Sequence, residues 1–426
     1  MNDNQCAGCM EEAEEPDHTV FTEDMLDYTI LLPTMLPMHF KIMAGIFTTF
    51  GYKAVLLENT GPSVIEYGLK YVHNDTCYPA MLMIGQMIEA IESGKYDKHK
   101  LALMMTQTGG GCRASNYIHL LRKALEKAGL GFVPVISVNL SGLEKNPGFS
   151  LTIPMLQKLI YAMMYGDLIV DVANQVRPYE VKAGSADRCI EVWERRLVRY
   201  FTRGKGMSKR AMRTIFRRII KDFENIQVSG EQKVRVGVVG EIYVKFSSLG
   251  NNNLEQFLLQ EGAEPVVPGL TDFMIFKIYN RIVDVDIYGG KWLKKVVCSA
   301  AKRYIENCKQ EMINALNESR FRAPGTFEGM HELVKGYLGD GNKMGEGWLL
   351  TGEMLELIHQ GVPNIVCTQP FGCLPNHIVG KGMIRKLKDD YPNSNIVAID
   401  YDPGATKINQ ENRVKLMLAN AKNMEK

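Results

Sequence analysis

The 426-residue chain has no apolar run approaching the ~20 residues of a membrane-spanning helix. Its opening residues include Asp3, Glu11, Glu12, Glu14 and Glu15, where a secretory signal would be basic. The expected compartment is therefore the cytoplasm, with no membrane partner. Charge of one sign is missing too: 50 basic residues face 48 acidic ones, which removes a global pull toward nucleic acid. No GxxxxGK[ST] loop occurs, so a phosphate cradle of that type is not encoded. A disulfide framework is also absent, because nine cysteines are an odd number spread over a long chain. Reduced thiols remain, and metal ligation or redox chemistry is the use expected of them. Cys6 and Cys9 form a CxxC pair with no second pair to complete a metal site.

What is present is an alternation of strand and helix signals. Residues 1–24 read as an acidic, mobile tail. From residue 25 to 150, short apolar runs at 28–32, 53–57, 101–105 and 133–138 alternate with helical spacing at 39–50, 80–91 and 115–128. This pattern predicts a doubly wound parallel sheet. Residues 151–230 carry helical signals and a basic stripe that includes Arg195, Arg199, Arg213 and Arg217. The apolar positions between them, such as Leu197 and Phe216, predict one buried face and one solvated face. Docking of an acidic partner or of coenzyme phosphates is the functional alternative. Residues 231–426 repeat the α/β plan with runs at 234–240, 265–267, 364–367 and 395–400, a helix at 378–387 and a closing helix at 408–422. The predicted fold class is α/β: two doubly wound parallel-sheet domains with an inserted helical region.

Three cysteines stand at matching places in that plan. Cys112 ends the glycine-rich turn Thr106-Gln107-Thr108-Gly109-Gly110-Gly111 after a strand, Cys77 precedes Pro79 at a helix start, and Cys373 follows a strand and Gly372. Glycines let backbone approach a bulky ligand, and a helix N-terminus favours a thiolate and lowers its pKa. Each feature alone also serves a purely structural turn or cap. Ligands bind such sheets outside the carboxyl ends of the strands. If the two crevices face each other, the three thiols converge. Thiolates without a matching histidine pair suit a soft metal or an iron–sulfur cluster. Glu241, just past a strand, faces the crevice or caps the surface. Cys298 and Cys308 are expected to be ordinary buried cysteines, and His331 and His359 structural.

The motifs Cys77-Tyr-Pro, Thr106-Gln-Thr-Gly-Gly-Gly-Cys112-Arg-Ala-Ser-Asn-Tyr, Pro370-Phe-Gly-Cys373-Leu-Pro-Asn-His and Asp400-Tyr-Asp-Pro-Gly-Ala-Thr with Asn412-Arg413 resemble those of the 2-hydroxyacyl-CoA dehydratase family. The nearest branch is its activase-related, dehydratase-like one, and the resemblance runs from about residue 21 to the end. It implies that Cys77, Cys112 and Cys373 hold a 4Fe-4S cluster with one open iron, Cys367 being a weaker candidate ligand. It further implies radical dehydration of a 2-hydroxyacyl-CoA through a ketyl radical, with low-potential electrons from a separate ATP-hydrolysing activator. A homo-oligomer or a related dehydratase-like subunit is the expected assembly. Some relatives carry a double-cubane cluster and reduce small molecules, a second reading that would recruit Cys367, Cys6 or Cys9. A non-catalytic cluster-binding component is a third. The catalytic residues and the acyl chain are not specified by the motifs.

Overall fold

The computed structural model describes residues 18–73, 75–107, 111–138 and 146–424. Strands β1 (Thr29–Leu32), β2 (Lys53–Leu56), β3 (Leu101–Thr106) and β4 (Val135–Val138) form an all-parallel sheet in the order β2-β1-β3-β4. Strands β5 (Val234–Gly240), β6 (Ala263–Val266), β7 (Asn364–Pro370) and β8 (Asn395–Tyr401) form a second parallel sheet in the order β6-β5-β7-β8. The two orders are the same. Parallel strands are covered on both faces and so read as unbroken apolar runs, which is why β3 buries Leu101 to Met105 and β7 buries all of its residues. The fold is the expected α/β pair of parallel sheets.

The crossovers show where spacing misleads. Two helices, Pro62–Tyr71 and Tyr78–Glu92, connect β2 to β3 where one was expected. The first is short and glycine-containing, which weakens its periodic signal. Close packing of the pair requires glycine, since a Cβ on Gly85 would lie 2.2 Å from the Val64 carbonyl and one on Gly68 would lie 2.6 Å from that of Met81. The helix expected at 378–387 is instead a wide turn at Asn376–Gly380, a tight turn at Lys381–Met383 and a short helix, Ile384–Asp390. Gly380 and Gly382 lie inside it, and glycine is a poor helix former.

Helices Ile153–Val176, Ser185–Thr202 and Lys209–Glu224 make up the inserted region. The first packs on both the helix Pro37–Thr48 and the edge strand β6, so the insertion joins the two sheets. Its basic stripe buries Leu197, Phe201 and Phe216 as expected. On the other face Arg196 pairs with Asp222, Arg213 with Glu311 and Arg217 with Glu318. In-chain acids thus answer part of the positive charge.

Asp167 is the joint. Its carboxylate accepts hydrogen bonds from the Leu270 and Thr271 backbone N–H groups at 3.0 and 2.8 Å and from the Thr271 hydroxyl at 2.6 Å, and it meets His39 Nε2 at 2.8 Å. One side chain therefore ties the first domain, the insertion and the start of helix Leu270–Tyr288. Burial opposes its ionisation, but the His39, Thr271 and Leu270 contacts outweigh burial and hold the carboxyl below 3.8. A depressed folded pKa gives stability that is present above the unfolded value and lost as pH falls through the folded one. Asp167→Ala is predicted to cost about 3–5 kcal/mol, since it leaves buried donors unpaired. Urea unfolding at pH 7 measures it, and a loss that shrinks below pH 4 is expected.

Candidate three-cysteine site

In such sheets the ligand crevice lies at the carboxyl ends of the strands, where successive crossovers leave in opposite directions. That point falls between β1 and β3 in the first sheet and between β5 and β7 in the second. Cys112 follows β3, Glu241 follows β5 and Cys373 follows β7. Cys77 is the N-cap of helix Tyr78–Glu92. This helix runs back from the carboxyl end of the sheet to feed β3, so its start lies at the same end. Pro79 occupies its first turn as expected.

Loops from both domains meet there. A Cβ on Gly111 would stand 3.0 Å from Met344 Sδ, so the glycine-rich turn of the first domain touches the 344–346 loop of the second. Lys277 Nζ donates to the Gly345 carbonyl at 2.6 Å. The Glu346 carboxylate accepts from the Ile242 N–H at 3.2 Å and from Asn376 Nδ2 at 3.1 Å, fastening the turn after β5 to the turn after β7. Asn376 Nδ2 also stands 3.3 Å from Cys373 Sγ, and the Tyr117 hydroxyl donates to Cys77 Sγ at 3.1 Å. Buried Gln107 accepts from the Ser137 hydroxyl and donates to the Ser115 carbonyl, bracing the cysteine turn. Among the described residues, the buried Asn376 Oδ1 has no hydrogen-bond partner.

The Cys77 thiol lies within electrostatic reach of Cys112 and of Cys373, and Glu241 acts on all three. Burial pushes Cys77 up to about 12, with Glu241 and Cys112 adding to it. Burial likewise raises Cys112, and burial followed by Glu346 raises Cys373. The expectation that the cap position lowers the Cys77 pKa is corrected: desolvation exceeds the helix-end field. Burial and neighbouring Glu346 push the Glu241 carboxyl up to about 8, so it holds a proton at neutral pH. Burial lowers Lys277, with Glu346 and Cys112 pulling the other way. Among the described residues, no three of His, Cys, Asp and Glu could hold a single metal ion. Thiolates that hold a multi-iron core bind separate irons and do not need a common point.

Other expectations divide. Cys367 is fully buried within β7, and its charged neighbours are Glu353, Asp400 and Lys381. Cys298 is half-buried, which corrects its reading as a core cysteine, whereas Cys308 is buried. His331 bonds to Asp340 and His359 to Tyr391. Cys6 and Cys9 lie outside the described residues, as do Thr108, Gly109 and Gly110. Glu241 is both cap and crevice residue: its carboxylate accepts from the Val244 N–H at 2.8 Å while the side chain is buried. Sequence reasoning missed Glu346. The available signal was its position between Gly345 and Gly347, both at positive φ, in a turn that only glycine accommodates.

The molecule carries a second feature. A cavity of about 360 Å³ opens between helix Ile153–Val176, strand β6 and helix Leu349–His359, lined by Asp171, Asp272, Lys309, Arg322 and Glu356 among others. Lys309 pairs with Asp272 at 2.7 Å, and Lys245 pairs with Glu353 at 2.8 Å. Compared with known proteins, the chain matches no family model and no curated sequence.

Only a thiolate reacts with alkylating reagents. In the metal-free protein, Cys77 is predicted to alkylate at pH 8 on the order of 100-fold or more slowly than an unperturbed thiol. Its rate should keep rising with pH toward about 12. Timed iodoacetamide labelling read by peptide mass spectrometry checks this, and a plateau near pH 9 contradicts it.

Proposed function

We propose that the chain is an iron–sulfur protein of the 2-hydroxyacyl-CoA dehydratase type. The reading is supported by the placement of Cys77, Cys112 and Cys373, from two domains, at the carboxyl ends of the two sheets, with Cys77 in electrostatic reach of the other two. The donor set fits a 4Fe-4S cluster. Three soft thiols are each partly buried, and two of them, Cys77 and Cys373, have a side-chain hydrogen-bond donor at the sulfur. With three protein thiolates, such a cluster keeps one open iron and supplies Lewis-acid and one-electron chemistry.

The chain's own residues have definable tasks. Tyr117 and Asn376 donate toward the sulfurs of Cys77 and Cys373, and hydrogen bonds to cluster sulfur tune its potential. The Glu241 carboxyl holds a proton in the cleft at neutral pH, where loss of hydroxide from a 2-hydroxyacyl thioester would require one to leave as water. Glu346 locks the two second-domain turns in register. Electrons come from a separate ATP-hydrolysing activator. The double-cubane reading needs further sulfur ligands, and Cys367 is committed to the core.

Cys77→Ser, Cys112→Ser and Cys373→Ser are each predicted to lose most bound iron after oxygen-free preparation, with far-UV circular dichroism unchanged. Cys298→Ser should keep its iron. Full iron retention in the Cys112 variant would overturn the ligand set. In the reduced wild-type protein, a paramagnetic resonance signal altered by a hydroxyacyl-CoA supports substrate contact. A signal indifferent to the thioester favours a cluster-binding component without dehydratase activity.

A further inference from the structure

The cavity of about 360 Å³ beside strand β6 falls in the range of roughly 300–1,000 Å³ usual for small-molecule sites. Exposed Arg322 and Gln360 lie on its wall, so it reaches solvent there. Val170, Phe246, Val266, Met312 and Leu357 make much of the wall apolar and suited to an aliphatic body. The polar groups determine what else an occupant must carry, and most of them are already matched within the chain. Asp167 is held by His39, Thr271 and Leu270, Asp272 pairs with Lys309, and Arg322 pairs with Glu264. Arg235 donates to the Gly361 carbonyl at 2.9 Å.

Two carboxyls on the wall are left over. Asp171 has no ion-pair partner among the described residues, and its hydrogen bonds come from one donor, Gln175 Nε2, at a long 3.3 Å to each oxygen. Gln175 is itself fixed, donating to the Arg322 carbonyl at 3.1 Å and accepting from the Arg322 N–H at 2.9 Å. Glu356, 9% exposed, accepts from the Gly325 N–H and likewise has no ion-pair partner among the described residues. The segment 322–325 thus has Gln175 and Asp171 at one end and Glu356 at the other, and three residues span at most about 11 Å. Asp171 is enclosed by protein yet keeps accessible surface, as a group on a cavity wall does. A buried carboxylate without a cation is costly, and burial pushes Asp171 up to about 7. Once the in-chain pairs are set aside, Asp171 and Glu356 face the single guanidinium of Arg235. The wall therefore has an excess of negative charge and of hydrogen-bond acceptors, which an ammonium group, with three N–H donors and one positive charge, would answer.

We propose that this cavity binds a small aliphatic amine in its ammonium form, with Asp171 as the ion-pair partner, Glu356 adding negative potential, and the alkyl part resting on the apolar wall. The site is separate from the three cysteines and does not depend on their reading. Titration calorimetry of the full chain with n-butylammonium, n-butanol and butyrate compares ligands that share the alkyl part and differ in charge. The ammonium ion should bind on the order of 10-fold or more tightly than either of the others. Asp171→Asn should weaken it on the order of 10- to 100-fold, and Glu356→Gln by less. Neither substitution should lower stability to urea, because each removes a buried charge that has no ion-pair partner. No binding of the ammonium ion overturns the proposal. Equal binding of butanol reduces the cavity to an apolar void, and tighter binding of butyrate makes Arg235 and Arg322 the deciding charges, so either result overturns it as well. So does an Asp171→Asn chain that binds as well as the wild type, or one that is destabilised, which gives the carboxyl a structural role.

Discussion

Each parallel sheet here grows in both directions from its first strand, and that constraint leaves an unfilled notch at the carboxyl ends. In the first sheet the notch lies between β1 and β3, in the second between β5 and β7. The backbone there must turn tightly, and its N–H groups and glycines face outward. Two such notches brought together form a cleft to which neither domain contributes enough groups alone. Cys77 and Cys112 come from one domain, and Cys373, Glu241 and Glu346 from the other. The inserted helices and Asp167 hold the domains together, so the chemistry of the cleft depends on packing elsewhere in the chain.

Magnitudes decide the electrostatics of the thiols. A helix N-terminus stabilises a nearby anion by about 0.3–1 kcal/mol, less than one pKa unit. Complete burial shifts an ionisable group by as much as 3–5 units in the opposite direction. Cys77 has both influences and ends raised, with Glu241 and Cys112 adding to the effect of burial. A site of this kind holds its sulfurs protonated until positive charge arrives, so the proposed loading with metal would release protons. The carboxyls of Glu241 and Glu346 in the same cleft strengthen that dependence.

Much of this was legible from residue patterns. The strands β1, β3, β5 and β7 are mostly apolar and largely buried on both faces, which made them legible, and the glycine and proline settings of Cys112, Cys373 and Cys77 placed them at turns and a cap. Helix Pro62–Tyr71 escaped notice because it is only ten residues long and interrupted by Gly68, where a Cβ would strike the Met81 carbonyl of its neighbour. Glu346 was missed for a different reason, since its flanking glycines mark a turn but not its partners. Its role comes from hydrogen bonds to Ile242 and Asn376, 104 and 30 residues away, and no local periodicity records such distances. Cys298 read as core because cysteine usually is. It sits half-buried near the start of a helix whose first apolar side chains, Trp292 to Val297, are exposed.

The proposed convergence of three remote sulfurs on one cluster has a stoichiometric consequence. Iron and acid-labile sulfide should be counted on protein purified and reconstituted without oxygen. About four of each per chain is the predicted result. A folded protein that retains neither after reconstitution would contradict the assignment.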